Sequence, residues 1–273
     1  MKTRQMMRTL AAVGAAMGVV LTASVAGAQT TGYGFGQKGE FVLSADRLVP
    51  ILSFTSNKVT FNNQNPNVSV SDTGSGLSLL WGNNSAFAVQ GARGSPGFSG
   101  GGNSTFYTTP RVGFDYVFLP NWTLGGDLFV FFTLGKSQSI TQGNVTTDIN
   151  QPSANAFGIA PRVGYIFGLS EPLSIWLRGG FSYYHAGTSI QDNNCSNQSD
   201  TTSLGVFGVD IDPQLVISPA PHFAFTAGPA VDIGFAGSAS ATNVTGNCNT
   251  TTTVSGGYSS YNIGITGGLL GWF

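Results

Sequence analysis

Residues Thr109 to Leu134, TPRVGFDYVFLPNWTLGGDLFVFFTL, limit what this chain can fold into more than any other stretch. In steps of two, Pro110, Val112, Phe114, Tyr116 and Phe118 are apolar, with Arg111, Gly113 and Asp115 between them. After Pro120 and Asn121 the alternation resumes: Trp122, Leu124, Gly126, Leu128, Val130, Phe132 and Leu134 fall on one face, and Thr123, Gly125, Asp127 and Thr133 on the other. A period of two predicts a β-hairpin. Its apolar face is continuous and rich in aromatics, while charge and glycine share the opposite face. A soluble two-layer sheet does the reverse with its interior, so the charged face is expected to line an enclosed space and the apolar face to meet lipid.

The rest of the chain is consistent with export. Met1 to Ala28 opens with Lys2, Arg4 and Arg8, runs through an apolar core from Leu10 to Val25 and closes on Ala26-Gly27-Ala28. This pattern predicts a secretory signal peptide cleaved after Ala28. The competing reading, one transmembrane helix, fits less well because the core is short and ends in small residues. No later run reaches the ~18 apolar residues that a spanning helix needs, so any membrane crossing is expected to use strands. Residues 29–39 are Gly-rich and read as a loose leader, and 40–273 as a single barrel domain.

Charged residues make up only 8% of the chain, against roughly 25% in soluble domains. The 11 Lys and Arg nearly balance the 12 Asp and Glu, so no basic face points to nucleic acid. Plentiful aromatics argue against disorder. Low charge combined with apolar alternation suits strands joined by polar loops.

Strand one starts at Glu40, with Phe41, Leu43 and Ala45 outward and Glu40, Ser44 and Asp46 inward. Strict alternation would send Arg47 into lipid, at about 2 to 4 kcal/mol near the midplane. A register break is therefore expected near Asp46-Arg47, after which Leu48, Pro50, Leu52 and Phe54 would take the outer face. Lys58 to Phe106 lacks sustained alternation and reads as a long surface loop, with Leu77 to Trp81 as its apolar cluster. Pro110-Arg111-Val112-Gly113-Phe114 then recurs as Pro161-Arg162-Val163-Gly164-Tyr165 and, more faintly, as Pro213-Gln214-Leu215-Val216-Ile217, each about fifty residues on. Short turns (119–121, 168–172, 218–222) alternate with longer loops rich in Asn and Thr (136–155, 190–202, 238–253).

The count is eight strands, near 40–56, 107–119, 122–135, 156–167, 173–188, 203–217, 223–237 and 256–273. The last, YNIGITGGLLGWF, ends on an aromatic. The predicted fold is all-β, an antiparallel up-and-down transmembrane β-barrel with short periplasmic turns and longer extracellular loops. In this pattern the chain resembles the small bacterial outer-membrane barrels of the OmpA, OmpW and OmpX kind. The resemblance implies residence in outer-membrane lipid, and it implies that Phe273 is the terminal signal read by the barrel assembly machinery. Gly267 and Gly271 depart from the usual apolar run there.

An eight-stranded barrel leaves room inside only for side chains. The inward set is Arg111, Asp115, Asp127, Arg162, Arg178, Asp210, Asp212, Gln214 and Asp232, expected to form an ion-pair network that plugs the lumen. With a turn centred near 120, Arg111 should lie near Asp127; with one centred near 170, Arg162 should face Arg178. A narrow polar pore is the alternative outcome of the same residues. Catalysis is not expected. Barrel hydrolases such as lipid A deacylases and omptin proteases use His beside Ser, Asp or Glu, and neither His185 nor His222 has an evident orienting acid. No cofactor, phosphate loop or metal ligand set is expected.

Cys195 and Cys248, both in long loops of an exported chain, read as a disulfide. The function read from the sequence is a structural or surface-interaction role, with a cell-surface ligand engaged through 58–106. A pore or hydrophobic-solute channel is one alternative, and a secreted soluble β-sandwich binding protein is another.

Overall fold

Alternation over most of the chain produces strands that pair in succession and then close. The computed structural model describes residues 34–62, 69–79, 109–133, 137–142, 145–150, 153–191, 199–245 and 250–273. Among them are β1 (Phe41–Asn62), β2 (Ser69–Leu79), β3 (Arg111–Leu119), β4 (Trp122–Thr133), β5 (Ser137–Gln142), β6 (Val145–Asn150), β7 (Ser153–Ser170), β8 (Leu173–Gln191), β9 (Ser199–Ala220), β10 (Phe223–Thr245) and β11 (Thr250–Trp272). Strands β1, β3, β4, β7, β8, β9, β10 and β11 pair antiparallel in that order, and β11 pairs back onto β1. The result is an eight-stranded up-and-down ring with no free edge between its first and last members, which rules out a β-sandwich.

The faces follow the sequence. Val112, Leu128, Val130 and Phe132 are between 53% and 69% exposed, while Arg111, Asp115 and Asp127 on the same two strands are at most 5% exposed. An apolar exterior around a charged interior is the arrangement of a membrane-spanning barrel. The tight connections at Pro120–Asn121, Glu171–Pro172 and Pro221–His222 share one end, the periplasmic end in such barrels.

Several strands run further than the alternation predicts. The region read as a loop from Lys58 begins inside β1, which continues to Asn62, and β2 then pairs with Leu52–Asn62 as a hairpin. Residues 80–108 of that region lie outside the described residues. The loop expected at 136–155 contains the separate β5–β6 hairpin, and β9, β10 and β11 extend into the Thr- and Ser-rich segments around 199–202 and 238–253. There the pairing is carried by main chain and by cross-strand hydroxyls, Ser203 Oγ to Ser240 Oγ at 2.8 Å and Thr242 Oγ1 to Thr253 Oγ1 at 2.9 Å. The residues that turn inward there are small, Ala239 and Ala241 among them, so no strong apolar alternation marks these strands.

The irregularity expected near Arg47 is present. The β1–β11 register shifts between Ala45 and Val49 and again between Pro50 and Leu52, and Arg47 has a φ of 55°. The second shift corrects the outward set: Pro50 is buried, and Ile51 and Phe54 face out.

Candidate functional site

Inside the ring, one side chain or more from every strand joins a polar layer. Arg162 from β7 is its hub. Its Nε and Nη2 donate to the two carboxylate oxygens of Asp115 at 3.1 and 2.6 Å, and its Nη1 donates to Asp46 Oδ2 at 2.9 Å and Asp127 Oδ2 at 3.2 Å. Asp46 accepts a second guanidinium through its other oxygen, Arg178 Nη1 at 2.8 Å, and a hydroxyl, Ser44 Oγ at 2.7 Å. Arg178 Nη2 donates to Asp212 Oδ2 at 2.5 Å, and Gln214 Nε2 donates to the other oxygen of Asp212.

The layer continues through Arg111. Its Nη1 lies 3.5 Å from Asp127 Oδ1 and donates to Tyr184 Oη at 2.8 Å. Tyr184 Oη reaches Asp232 Oδ1 at 3.4 Å, and Asp232 is gripped by Arg47 and by Asn262 Nδ2 at 3.1 Å. Strands β1, β3, β4, β7, β8, β9, β10 and β11 thereby meet in one network.

Local sequence positions these groups. The three recurrences of the Pro-polar-apolar motif start β3 and lie within β7 and β9, three strands that run in the same direction, and they set Arg111, Arg162 and Gln214 inward at 2% exposure each. Gly113 supplies the crossing point: a Cβ there would sit 2.2 Å from Ser44 Oγ and 2.5 Å from Arg162 Nη2. The bulge in β1 turns two successive side chains, Asp46 and Arg47, into the interior.

The placement of the expected residues is mixed. Arg111 does lie beside Asp127, diagonally, because the register pairs Gly113 with Asp127. Arg162 does not face Arg178: the β7–β8 turn is centred about one residue later than expected, so Gly180 opposes Arg162 and Gly164 opposes Arg178. Each guanidinium therefore lies across from a glycine. Asp115, Asp127, Asp212 and Asp232 all accept arginine. Asp210 does not; it is buried opposite Asp232, its Oδ1 has no hydrogen bond, and among the described residues it forms no ion pair. Cys195 and Cys248 lie outside the described residues. Phe273 is 67% exposed at the ring's closure, where Phe41 N donates to its carbonyl at 2.9 Å and its own N donates to Phe41 O at 3.1 Å.

Sequence reasoning missed Asp46 and Arg47 as partners, Tyr184, Asn262, and two apolar clusters that bracket the polar layer. Toward the long loops, Phe129, Tyr184, Ala186, Leu204, Val206, Ala239 and Tyr258 pack together. Toward the short turns, Phe35, Val42, Val117, Ile166, Trp176, Val216, Ala224, Leu270 and Trp272 do so. The clusters touch the cations: the Arg111 guanidinium lies 5.0 Å from the Tyr184 ring centroid, and that of Arg178 lies 4.6 Å from Trp176. The segment read as a loose leader enters the lower cluster, with Phe35 1% exposed. In that segment burial raises the Glu40 carboxyl above its ordinary range, opposed by the N–H groups of Gly36 and Gln37 that it accepts at 2.8 and 3.0 Å.

No protein-family model matches this sequence, and none of the curated proteins compared with it is similar. Solved structures of like architecture include the outer membrane protein OprG of Pseudomonas aeruginosa, 11% identical over 87% of this chain and 97% of that one, with a TM-score of 0.44. AlkL in lipid bilayers is 9% identical over 92% and 97% at a TM-score of 0.41. The outer membrane protease OmpT of Escherichia coli is 10% identical over 86% and 97% at a TM-score of 0.40. With identities and TM-scores this low, the chain's own residues have to carry any functional reading.

Proposed function

We propose that this chain is an integral outer-membrane barrel with a sealed, ion-paired interior, whose role is structural or interactive at the cell surface. The observation that carries the reading is the polar layer: four arginines and their carboxylate partners from seven of the ring strands, joined by Asn262 from β11, cross the interior between two packed apolar clusters. Arginines buried in this way are held only if each is paired and hydrogen-bonded. A pore needs such groups hydrated and apart, and these are in contact.

The interior also supports a non-catalytic reading. The His185 ring packs against Phe157 at 5.3 Å between centroids, on the lipid-facing side, and His222 Nδ1 is 2.9 Å from the Trp272 carbonyl oxygen at a turn. Neither reaches the carboxylates of the layer. The surface contact in this reading falls to the long-loop end, where the β1–β2 hairpin stands.

Conductance decides between the sealed barrel and the narrow pore. Purified protein in planar bilayers should pass little current, and Arg178→Ala, which strands Asp212 and takes from Asp46 one of its two cations, should lose stability to urea by about 3 to 5 kcal/mol. Large, steady conductance of the unmodified protein, with unchanged stability in the variant, would sink the sealed interior.

A further inference from the structure

The short-turn mouth of the barrel is closed by something other than the strands. Residues 34–40 fold back across it, with Gly39 N donating to Val117 O at 2.8 Å and Asn121 N to Gly36 O at 2.9 Å. Gly34, Gly36 and Gly39 have φ of 83°, 96° and 99°, a left-handed run that residues with side chains resist. Between them Phe35 enters the lower apolar cluster, edge-on to Trp176 at 5.7 Å between centroids and tilted on Trp272 at 5.1 Å. Trp176 has Phe35 on one side and the guanidinium groups of Arg178 and Arg162 on the other, at 4.6 and 5.6 Å. A continuous stack therefore runs from the mouth to the polar layer.

The attachment of this segment is slight compared with that of the strands beside it. Its burial rests on Phe35 and its neighbour Gly36, whereas Gln37, Lys38 and Gly39 are exposed. The ring closure does not depend on it, because β1 and β11 are joined beyond it through Phe41 and Phe273. A segment held by one buried side chain, Phe35, and a few main-chain bonds opens locally while the remainder stays folded.

We propose that residues 34–40 are a hinged stopper of the periplasmic mouth, with Phe35 as its bolt and Trp176 as the group through which its departure lets water reach Arg162 and Arg178. The stopper swings on its glycines without opening the ring. This does not depend on whether the polar layer blocks current, since the lower cluster lies on the periplasmic side of that layer.

Two measurements on the full chain in detergent micelles test it. In the unmodified protein, the amides of Gly39 and Asn121 should exchange with solvent as one group, about a hundredfold or more faster than those of Gly113 and Phe114 in β3. Exchange as slow as that of β3 would show a permanent part of the wall and overturn the proposal. In a chain carrying Trp81→Phe and Trp122→Phe, only the buried Trp176 and Trp272 remain. There Phe35→Ala should raise acrylamide quenching severalfold, while Phe41→Ala on the outer face at the same end should not. A folded Phe35→Ala variant with unchanged quenching would also overturn it. Should Phe35→Ala not fold, Phe35→Leu takes its place with the same two outcomes.

Discussion

Arg47 holds Asp232 with both ends of its guanidinium, Nη1 to Oδ2 at 2.8 Å and Nη2 to Oδ1 at 3.0 Å. The pair joins β1 to β10 over the intervening β11 and is at most 3% exposed. Arg47→Ala leaves Asp232 charged and buried, with Asn262 and Tyr184 in place of a cation, and should cost about 3 to 5 kcal/mol. Arg47→Met combined with Asp232→Asn should recover part of that loss. Urea titrations of the three proteins in the same lipid give the values, and a double variant no more stable than Arg47→Ala would show that the pair is not what the residues contribute.

Asp210 and Asp212 are neighbours on the same face of β9 with different surroundings. Asp212 accepts Arg178 and Gln214, whereas Asp210 faces Asp232 and forms no direct ion pair among the described residues. Asp212→Asn should destabilise the barrel by about 3 to 5 kcal/mol. Asp210→Asn removes repulsion between like charges and should leave stability equal or higher. Equal losses in the two variants would mean that Asp210 is paired in solution.

Gly113 is the point at which Arg162 passes over β3. With a Cβ 2.2 Å from Ser44 Oγ and 2.5 Å from Arg162 Nη2, Gly113→Ala has to displace the hub of the network. A loss of about 1 to 3 kcal/mol is expected from overpacking. Thermal unfolding followed by the shift in gel mobility of the folded barrel reads it, and an unchanged midpoint would show that Arg162 has another route.

Leu128 and Val163 are 53% and 50% exposed on the outer face, and Leu128→Arg or Val163→Arg should each cost about 2 to 4 kcal/mol if the site lies near the bilayer midplane. The control is Ser182→Ala, an interior hydroxyl without a hydrogen-bond partner, which should fold as the parent does. Folding yields into vesicles that are the same for all three would reverse the assignment of the faces.

What could be read in advance follows from the range of each signal. Alternation is local, so it marked the eight ring strands and the inward Arg111, Asp115, Asp127, Arg162 and Arg178. It also required a break at Arg47, because an arginine in lipid is costly. The destination of Arg47 was not legible, since Asp232 is 185 positions away and becomes a neighbour only when the ring closes. A one-residue error in a turn centre moved Arg178 from Arg162 to Gly164. The Thr- and Ser-rich strand ends were hidden because their inward residues, such as Ala239 and Ala241, are too small to mark an apolar face, and Phe35 because glycines on each side resemble a flexible leader.

Three of the arginine contacts that hold the interior, Arg162 to Asp46, Arg178 to Asp46 and Arg47 to Asp232, span 116, 132 and 185 positions along the chain. Groups so far apart in sequence become neighbours as the ring closes, so these contacts are expected to form late in folding. Interactions absent from the transition state slow unfolding and leave the forward rate nearly unchanged. Weakening any of these three pairs is then expected to shorten the life of the finished barrel more than it slows the making of it.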